Sequence, residues 1–304
     1  MTPPARTVGA WWREVTRRFA HAGLFFGHGT HGARDEAAWL ICHVLGIGSE
    51  ALPRELGRRV GAGDARSLER HARRRIARRE PLAYVLREAW LAGCRFYVDR
   101  RVIVPRSHIA ELLPDGLAPW LRPGGPRRIL DLCTGSGCLA ILAALAFPEA
   151  RVDASDVSSA ALAVARRNVA TYRLQRRIRL VKSDAFAALG SVRYDLVLCN
   201  PPYVPGAEMR RLPAEYRAEP RLALAGGRDG LDFVRRLLDD AADHLTTDGT
   251  LVTEIGANRK KVDKAFPRLP FTWLATRAGE GLVFVLRRAE LAEASRARRP
   301  RRAS

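Results

Sequence analysis

Asn200-Pro201-Pro202-Tyr203 places an amide, two stiff carbonyl-bearing residues and an aromatic ring in four consecutive positions. Proline lacks a backbone N–H and holds φ near about −65°, and Asn200, preceding a proline, is pushed out of the helical region. A chain of this kind leaves a strand rigid and extended. Its amide oxygen and a main-chain carbonyl can accept both hydrogens of a substrate –NH2, while Tyr203 lays a flat face beside the group. The candidate catalytic set is Asn200, Pro201, Pro202 and Tyr203, and the chemistry is that of holding a planar nitrogen still for a transfer reaction. Proline pairs also merely end strands, so the motif takes its meaning from what precedes it.

Ile129-Leu130-Asp131-Leu132 reads as a short buried strand, followed by Cys133-Thr134-Gly135-Ser136-Gly137-Cys138 and an apolar helical run from Leu139 to Phe147. Glycines at a strand-to-helix turn admit a ligand close to the backbone, and the helix start beyond them offers unpaired N–H groups. Arg151 to Ser155 reads as the next strand, with Asp156 at its end, 21 positions after Gly135. An acid there can bind ribose hydroxyls. Gly135, Gly137 and Ala140 also satisfy the dinucleotide pattern, so this stretch alone leaves a nicotinamide cofactor and S-adenosylmethionine both open. Asp131 favours S-adenosylmethionine, because a carboxylate before the glycine loop can pair with a methionyl ammonium and would repel a pyrophosphate. Ser183-Asp184-Ala185 ends a third strand, Ile178 to Lys182, where it can meet an adenine edge. Asp131, Asp156, Asp184 and Asn200 thus stand near the C-terminal ends of four successive strands, the edge at which open α/β sheets bind ligands. The candidate cofactor-binding set is Asp131, Cys133, Thr134, Gly135, Ser136, Gly137, Asp156, Asp184, Ala185 and Asn200. No metal is expected, since the seven histidines form no ligand pattern.

These groups need a scaffold. From Arg127 to Arg288 strand patterns alternate with helical ones, which predicts a mostly parallel sheet flanked by helices. Residues 125–290 are read as a Rossmann-like domain. Residues 1–88 read as a small helical, substrate-recognition domain with a frayed start over 1–10, a second helix capped by Asp35, and a third from Ser67 to Arg79 burying Leu68, Ala72 and Ile76. Residues 89–124 read as a linker, with a β-hairpin turning at Asp99-Arg100-Arg101. The stretch Tyr203 to Arg228 is long for a connection and reads as a lid. Its acids, Glu208, Glu215 and Glu219, are candidates to grip a basic peptide, although solvated charge is the simpler reading for Glu208 and Glu215.

Asp131-Leu-Cys-Thr-Gly-Ser-Gly, Asn200-Pro-Pro-Tyr, Glu219-Pro-Arg-Leu-Ala-Leu and Gly226-Gly-Arg-Asp-Gly-Leu together resemble the HemK-type N(5)-glutamine methyltransferases, over nearly the whole chain. Phe96-Tyr-Val-Asp, Val104-Pro-Arg-Ser, Cys133, Cys138 and Gly27-His-Gly-Thr resemble the branch that modifies the third protein of the large ribosomal subunit. His108 departs from it, standing where that branch is expected to carry proline. The resemblance implies a class I methyltransferase sheet whose last strand lies antiparallel between the two before it. It further implies S-adenosylmethionine as cofactor and methylation of a glutamine side chain in a large-subunit ribosomal protein.

Composition frames the alternatives. The net charge is +20, but lysine stands only at 182, 260, 261 and 264, so 48 of the 52 basic residues are arginine. That bias fits ribosomal RNA contact and GC-rich coding alike. Residues 291–304 read as a basic disordered tail. No apolar run approaches the roughly 18–20 residues that span a membrane, no apolar signal core opens the chain, and the five cysteines lack zinc spacing, so a cytoplasmic protein is expected. The oligomeric state stays open. Competing functions are methylation of a release-factor glutamine, N6-adenine methylation with an extruded base, and a non-catalytic role in ribosome assembly.

Overall fold

The computed structural model describes residues 6–113 and 117–298. Five helices come first: α1 (Val8–His21), α2 (Ala33–Leu45), α3 (Leu52–Glu55), α4 (Ala62–Arg78) and α5 (Leu82–Leu86). They close around their own core of Trp11, Val15, Phe19, Leu40, Ile41 and Leu68. Two caps differ from expectation. Thr7 caps α1 by accepting from the Ala10 N–H, so the chain is helical from Val8 rather than frayed to 10; residues 1–5 lie outside the described residues. Gly32, not Asp35, precedes α2, and Asp35 lies in its first turn.

The hairpin pairs β1 (Ala89–Leu91) with β2 (Cys94–Phe96). It turns at Ala92-Gly93, both at positive φ, rather than at Asp99-Arg100-Arg101. Tight hairpins need positive φ at both turn positions, whereas Asp99 spends its carboxylate on the Arg101 N–H and guanidinium. Helix α6 (Ile109–Leu112) follows.

The remainder alternates β3 (Arg128–Leu132), α7 (Cys138–Ala146), β4 (Arg151–Asp156), α8 (Ser159–Thr171), β5 (Ile178–Lys182), β6 (Tyr194–Cys199), α9 (Gly206–Met209), α10 (Asp232–Asp240), β7 (Leu245–Glu254), α11 (Arg259–Ala265), β8 (Thr272–Thr276), β9 (Gly279–Arg287) and α12 (Arg288–Arg298). The strands form one seven-stranded sheet in the order β5-β4-β3-β6-β7-β9-β8, parallel except for β9, which runs antiparallel to both neighbours. This is the class I methyltransferase arrangement. Helix α7 is apolar along its length and buried from Leu139 to Ala144, with Leu145 left exposed. Two cores, one on each face, hold the sheet. The expected disordered tail is helical to Arg298, since Leu291 and Ala294 bury against the second core; residues 299–304 lie outside the described residues. Among the described residues no helix is long and apolar enough to cross a membrane.

Candidate active site

The order of the sheet reverses between β3 and β6, so their C-terminal ends flank a crevice. Register aligns the candidate residues there. Leu132 pairs with both Ser155 and Cys199, and Ser155 with Val181. Asp131 therefore lies one residue below this level, Asp156 and Asn200 one above it, and Asp184 three above it. Adjacent strands are about 4.8 Å apart, which brings Asp131, Asp156 and Asn200 to one edge.

Asp131 is 1 % exposed. Its Oδ2 accepts from Thr134 Oγ1 at 2.5 Å and from the Ala140 N–H at 2.9 Å, while Oδ1 is buried without a partner. Burial pushes this carboxyl up to about 7, against the pull of those two donors. An orphaned buried carboxylate oxygen is costly, and it fits a cationic ligand.

The glycine loop is tied down from behind. Thr134 N–H donates to the Ser155 carbonyl, and Asn168 donates to the Ser136 carbonyl. Cys133 sits at a φ of 62°, a conformation costly outside glycine. Asp156 accepts from the Gly135 N–H at 2.9 Å through Oδ2 and from the Ser158 N–H at 2.8 Å through Oδ1. Each oxygen keeps a lone pair that these bonds do not use, and burial raises this carboxyl too. Asp184, by contrast, has a side chain 60 % exposed and 2.9 Å from Arg236, while Ala185 is buried beside it at positive φ.

Among the described residues, none hydrogen-bonds the Asn200 side chain or the Pro201 carbonyl. The segment beyond them is held by a short parallel bridge: Val204 N–H donates to the Leu224 carbonyl, and Gly226 N–H returns to the Val204 carbonyl, each at 2.9 Å. A Cβ at Gly226 would stand 2.8 Å from the Pro202 oxygen and from Tyr203 Cα. That close approach explains the glycine of the 226–231 motif.

Tyr203 rests its ring on Gly256, where a Cβ would come within 2.7 Å of it. Its hydroxyl donates to Glu254 Oε1 at 3.2 Å. Glu254 is a site residue that the sequence reading did not nominate. Thr253 pairs with Cys199, so Glu254 is level with Asn200 on the next strand. Its other oxygen accepts from Ser107 Oγ at 2.7 Å and the His108 N–H at 2.8 Å. Burial pushes its carboxyl up against these donors. The signal that would have found it is the one that found the others: a polar residue ending an apolar strand.

His108 now has a physical reason. Proline has no N–H, so histidine supplies Glu254 with a donor that proline withholds. His108→Pro is expected to lower stability by about 1 kcal/mol, the worth of one hydrogen bond, partly offset by proline's stiffness. A melting temperature equal to or above wild type would contradict this.

Two of the lid's three glutamates do not face outward to grip a peptide. Glu215 and Glu219 are buried inside the protein. Glu219 takes both Arg106 nitrogens, at 2.5 and 2.6 Å, and the Val104 N–H at 2.9 Å. Burial raises its carboxyl, but Arg106 prevails and holds it at about 2. Glu215 accepts from the Phe25 N–H and lies 2.9 Å from Arg79 and 3.4 Å from Arg75. Arg75, fully buried, also binds Glu36 and the Phe25 carbonyl. His28 packs on the Tyr216 ring, 3.7 Å from Glu219. Thus the lid is riveted to the helical bundle and to residues 104–106. Glu208, in contrast, is exposed, with Lys261 3.6 Å away.

Two families match parts of this chain: the PrmC N-terminal domain over residues 10–86 and the methyltransferase small domain over residues 116–215. Three relatives are similar over nearly its full length, each named a ribosomal protein uL3 glutamine methyltransferase. The protein of Bordetella pertussis is 52 % identical, covering 92 % of this chain and 94 % of its own. That of Burkholderia pseudomallei is 49 % identical over 95 % and 96 %, and that of Bradyrhizobium diazoefficiens is 50 % identical over 92 % and 90 %.

Proposed function

The chain belongs to the family of ribosomal protein uL3 glutamine methyltransferases, and on that premise we propose that its strand-end crevice transfers the methyl group of S-adenosylmethionine to a glutamine side-chain nitrogen of ribosomal protein uL3, in the cytoplasm. The observation that carries the chemistry is a juxtaposition on neighbouring strands. An orphaned Asp131 oxygen lies on the strand next to the one that leads into an Asn200 amide and a Pro201 carbonyl, which no described residue hydrogen-bonds.

S-adenosylmethionine, when bound, supplies an already activated methyl on a sulfonium. In this reading Asp131 Oδ1 accepts from the ammonium of that cofactor, and the turn Cys133 to Gly137 follows its methionyl part. Asp156 receives the ribose hydroxyls on its remaining lone pairs. Asp184 and Ala185 would border the adenine. The acceptor side needs alignment most. An amide nitrogen is a poor nucleophile because its lone pair is delocalised into the carbonyl. Asn200 Oδ1 takes one amide hydrogen and the Pro201 carbonyl the other, which fixes the plane and returns electron density to nitrogen. Tyr203, pinned by Glu254 and Gly256, walls the pocket. Positioning of this kind supplies roughly 7–11 kcal/mol in the best cases. The proton leaves to solvent after transfer, when the alkylated nitrogen has become far more acidic, so no base is needed beforehand.

Asp131 makes cofactor affinity depend on pH. An ammonium favours the carboxylate, so binding expels the proton that Asp131 holds below about 7. Cofactor Kd is expected to rise by up to roughly tenfold per unit as pH falls below that value, and to level off above it. Asp131→Asn should bind weakly with no such slope. Calorimetric titration across the range checks this, and a flat wild-type profile would remove Asp131 from the ammonium.

The decisive test of function uses labelled S-adenosylmethionine with purified uL3, a release factor and nucleic acid, and mass spectrometry to place the label. Label on a uL3 glutamine is expected. Label on the release factor alone would keep the chemistry and change the acceptor. Label on nucleic acid alone would mean that Asn200 to Tyr203 holds an adenine.

A further inference from the structure

A cleft of about 860 Å³ lies between α2 and the hairpin. Three carboxylates, Asp35, Glu50 and Glu88, line it against one guanidinium, Arg95, and three imidazoles, His28, His31 and His43. That balance is unusual in a chain of net charge +20. Glu88 is already engaged, accepting from the Trp39 and Trp90 indole N–H groups at 3.1 Å each, with His43 3.3 Å and Arg95 3.6 Å from its other oxygen. Those bonds fix Trp90 by its edge and leave its face open, 52 % of the residue being exposed. Asp35 and Glu50 are exposed at the rim. A clamped indole face with carboxylates around it is a receptor for an ammonium or guanidinium group.

The cleft is linked to the site by a short stretch of chain. Val104 and Pro105 form part of its wall, and Ser107 and His108 hold the carboxylate that pins Tyr203. Pro105 and His108 are three residues apart, at most about 11 Å of chain.

We propose that this cleft seats an extended, lysine- or arginine-bearing segment of the acceptor protein flanking the glutamine delivered to Asn200. The inference rests on the glutamine-methyltransferase reading and names the contact by which that acceptor is chosen. A protein that packs against ribosomal RNA must carry lysine and arginine to neutralise phosphates. The enzyme's own charge repels such a partner almost everywhere; the acidic cleft is where the two fields complement each other.

The test combines Asp35→Lys with Glu50→Lys, and separately makes Trp90→Ala, all at exposed positions. Both proteins are checked for fold by circular dichroism and for cofactor Kd by calorimetry. The expected result is an increase of about tenfold or more in the KM and Kd for uL3, with cofactor Kd unchanged, and a smaller gap from wild type at high salt for the charge reversal. KM and Kd within about twofold of wild type in both variants, with wild type labelling uL3 normally, would overturn the cleft while leaving the function intact. A wild-type enzyme that labels no glutamine of uL3 would overturn the acceptor and the cleft's occupant together. Should the double variant fail to fold, Trp90→Ala decides alone.

Discussion

Asn200→Ala is expected to lower kcat by about a thousandfold while cofactor Kd stays within about twofold. Removing one preorganised hydrogen-bonding group from a transfer site costs roughly 10²–10³ in rate, and here the group does two jobs. It accepts a hydrogen of the acceptor amide and sets the angle of its plane, so misalignment adds to the lost bond. A thousandfold is about 4 kcal/mol of barrier. The side chain is otherwise unengaged, so its loss should leave the fold unharmed. Single-turnover kinetics with uL3 separate the step from product release. If cofactor affinity falls in step with rate, Asn200 belongs to the cofactor and not to the transfer.

The second large effect is on stability. Arg75→Ala is expected to destabilise the protein by about 3–5 kcal/mol, because breaking a buried ion pair strands its partners. Arg75 lies within 2.5 Å of Glu36 and 3.4 Å of Glu215, all three buried. Without the guanidinium, Glu36 is left in the interior and the Phe25 carbonyl loses its donor. The effect has a sign in pH. Stranded carboxylates acquire folded-state pKa values above their unfolded ones, so the variant's deficit should shrink as pH falls and they are protonated. Thermal melts at mildly alkaline and mildly acidic pH test this. A drop in melting temperature of under a degree or two, or a deficit that grows in acid, would mean that the triad contributes little.

The site was legible in the sequence to the extent that it is local. Asp131, Asp156, Asp184 and Asn200 each stand within two residues of a strand's C-terminal end, and the strand register brings three of them to one edge. The reversed last strand followed from family resemblance and not from spacing. Long-range pairing stayed hidden. Arg75 sits in a run of arginines beside the inward-facing Ile76, and the partners that make its burial tolerable, Glu36, Glu215 and the Phe25 carbonyl, lie 39, 140 and 50 residues away. Glu219 was read as peptide-gripping because nothing near it in sequence announces Arg106. The hairpin was misplaced because alternation over 96–104 outweighed one glycine at position 93. The C-terminal helix was missed because arginine content masked the spacing of Leu291 and Ala294.

The rivets between lid and bundle also set a clock. The helical bundle leaves the ribosome first, but Glu215 follows Arg75 by 140 residues. At roughly 5–20 residues per second of synthesis, the bundle waits about 7–28 s for the carboxylate that completes its last face. Arg75 and Glu36 can neutralise each other meanwhile, so this buried pair does not wait for the lid. The Phe25 amide and Arg79 must stay wet until the lid arrives. A newly made chain is thus exposed on the very face that later clasps the lid, and any chaperone acting during synthesis would meet the protein there.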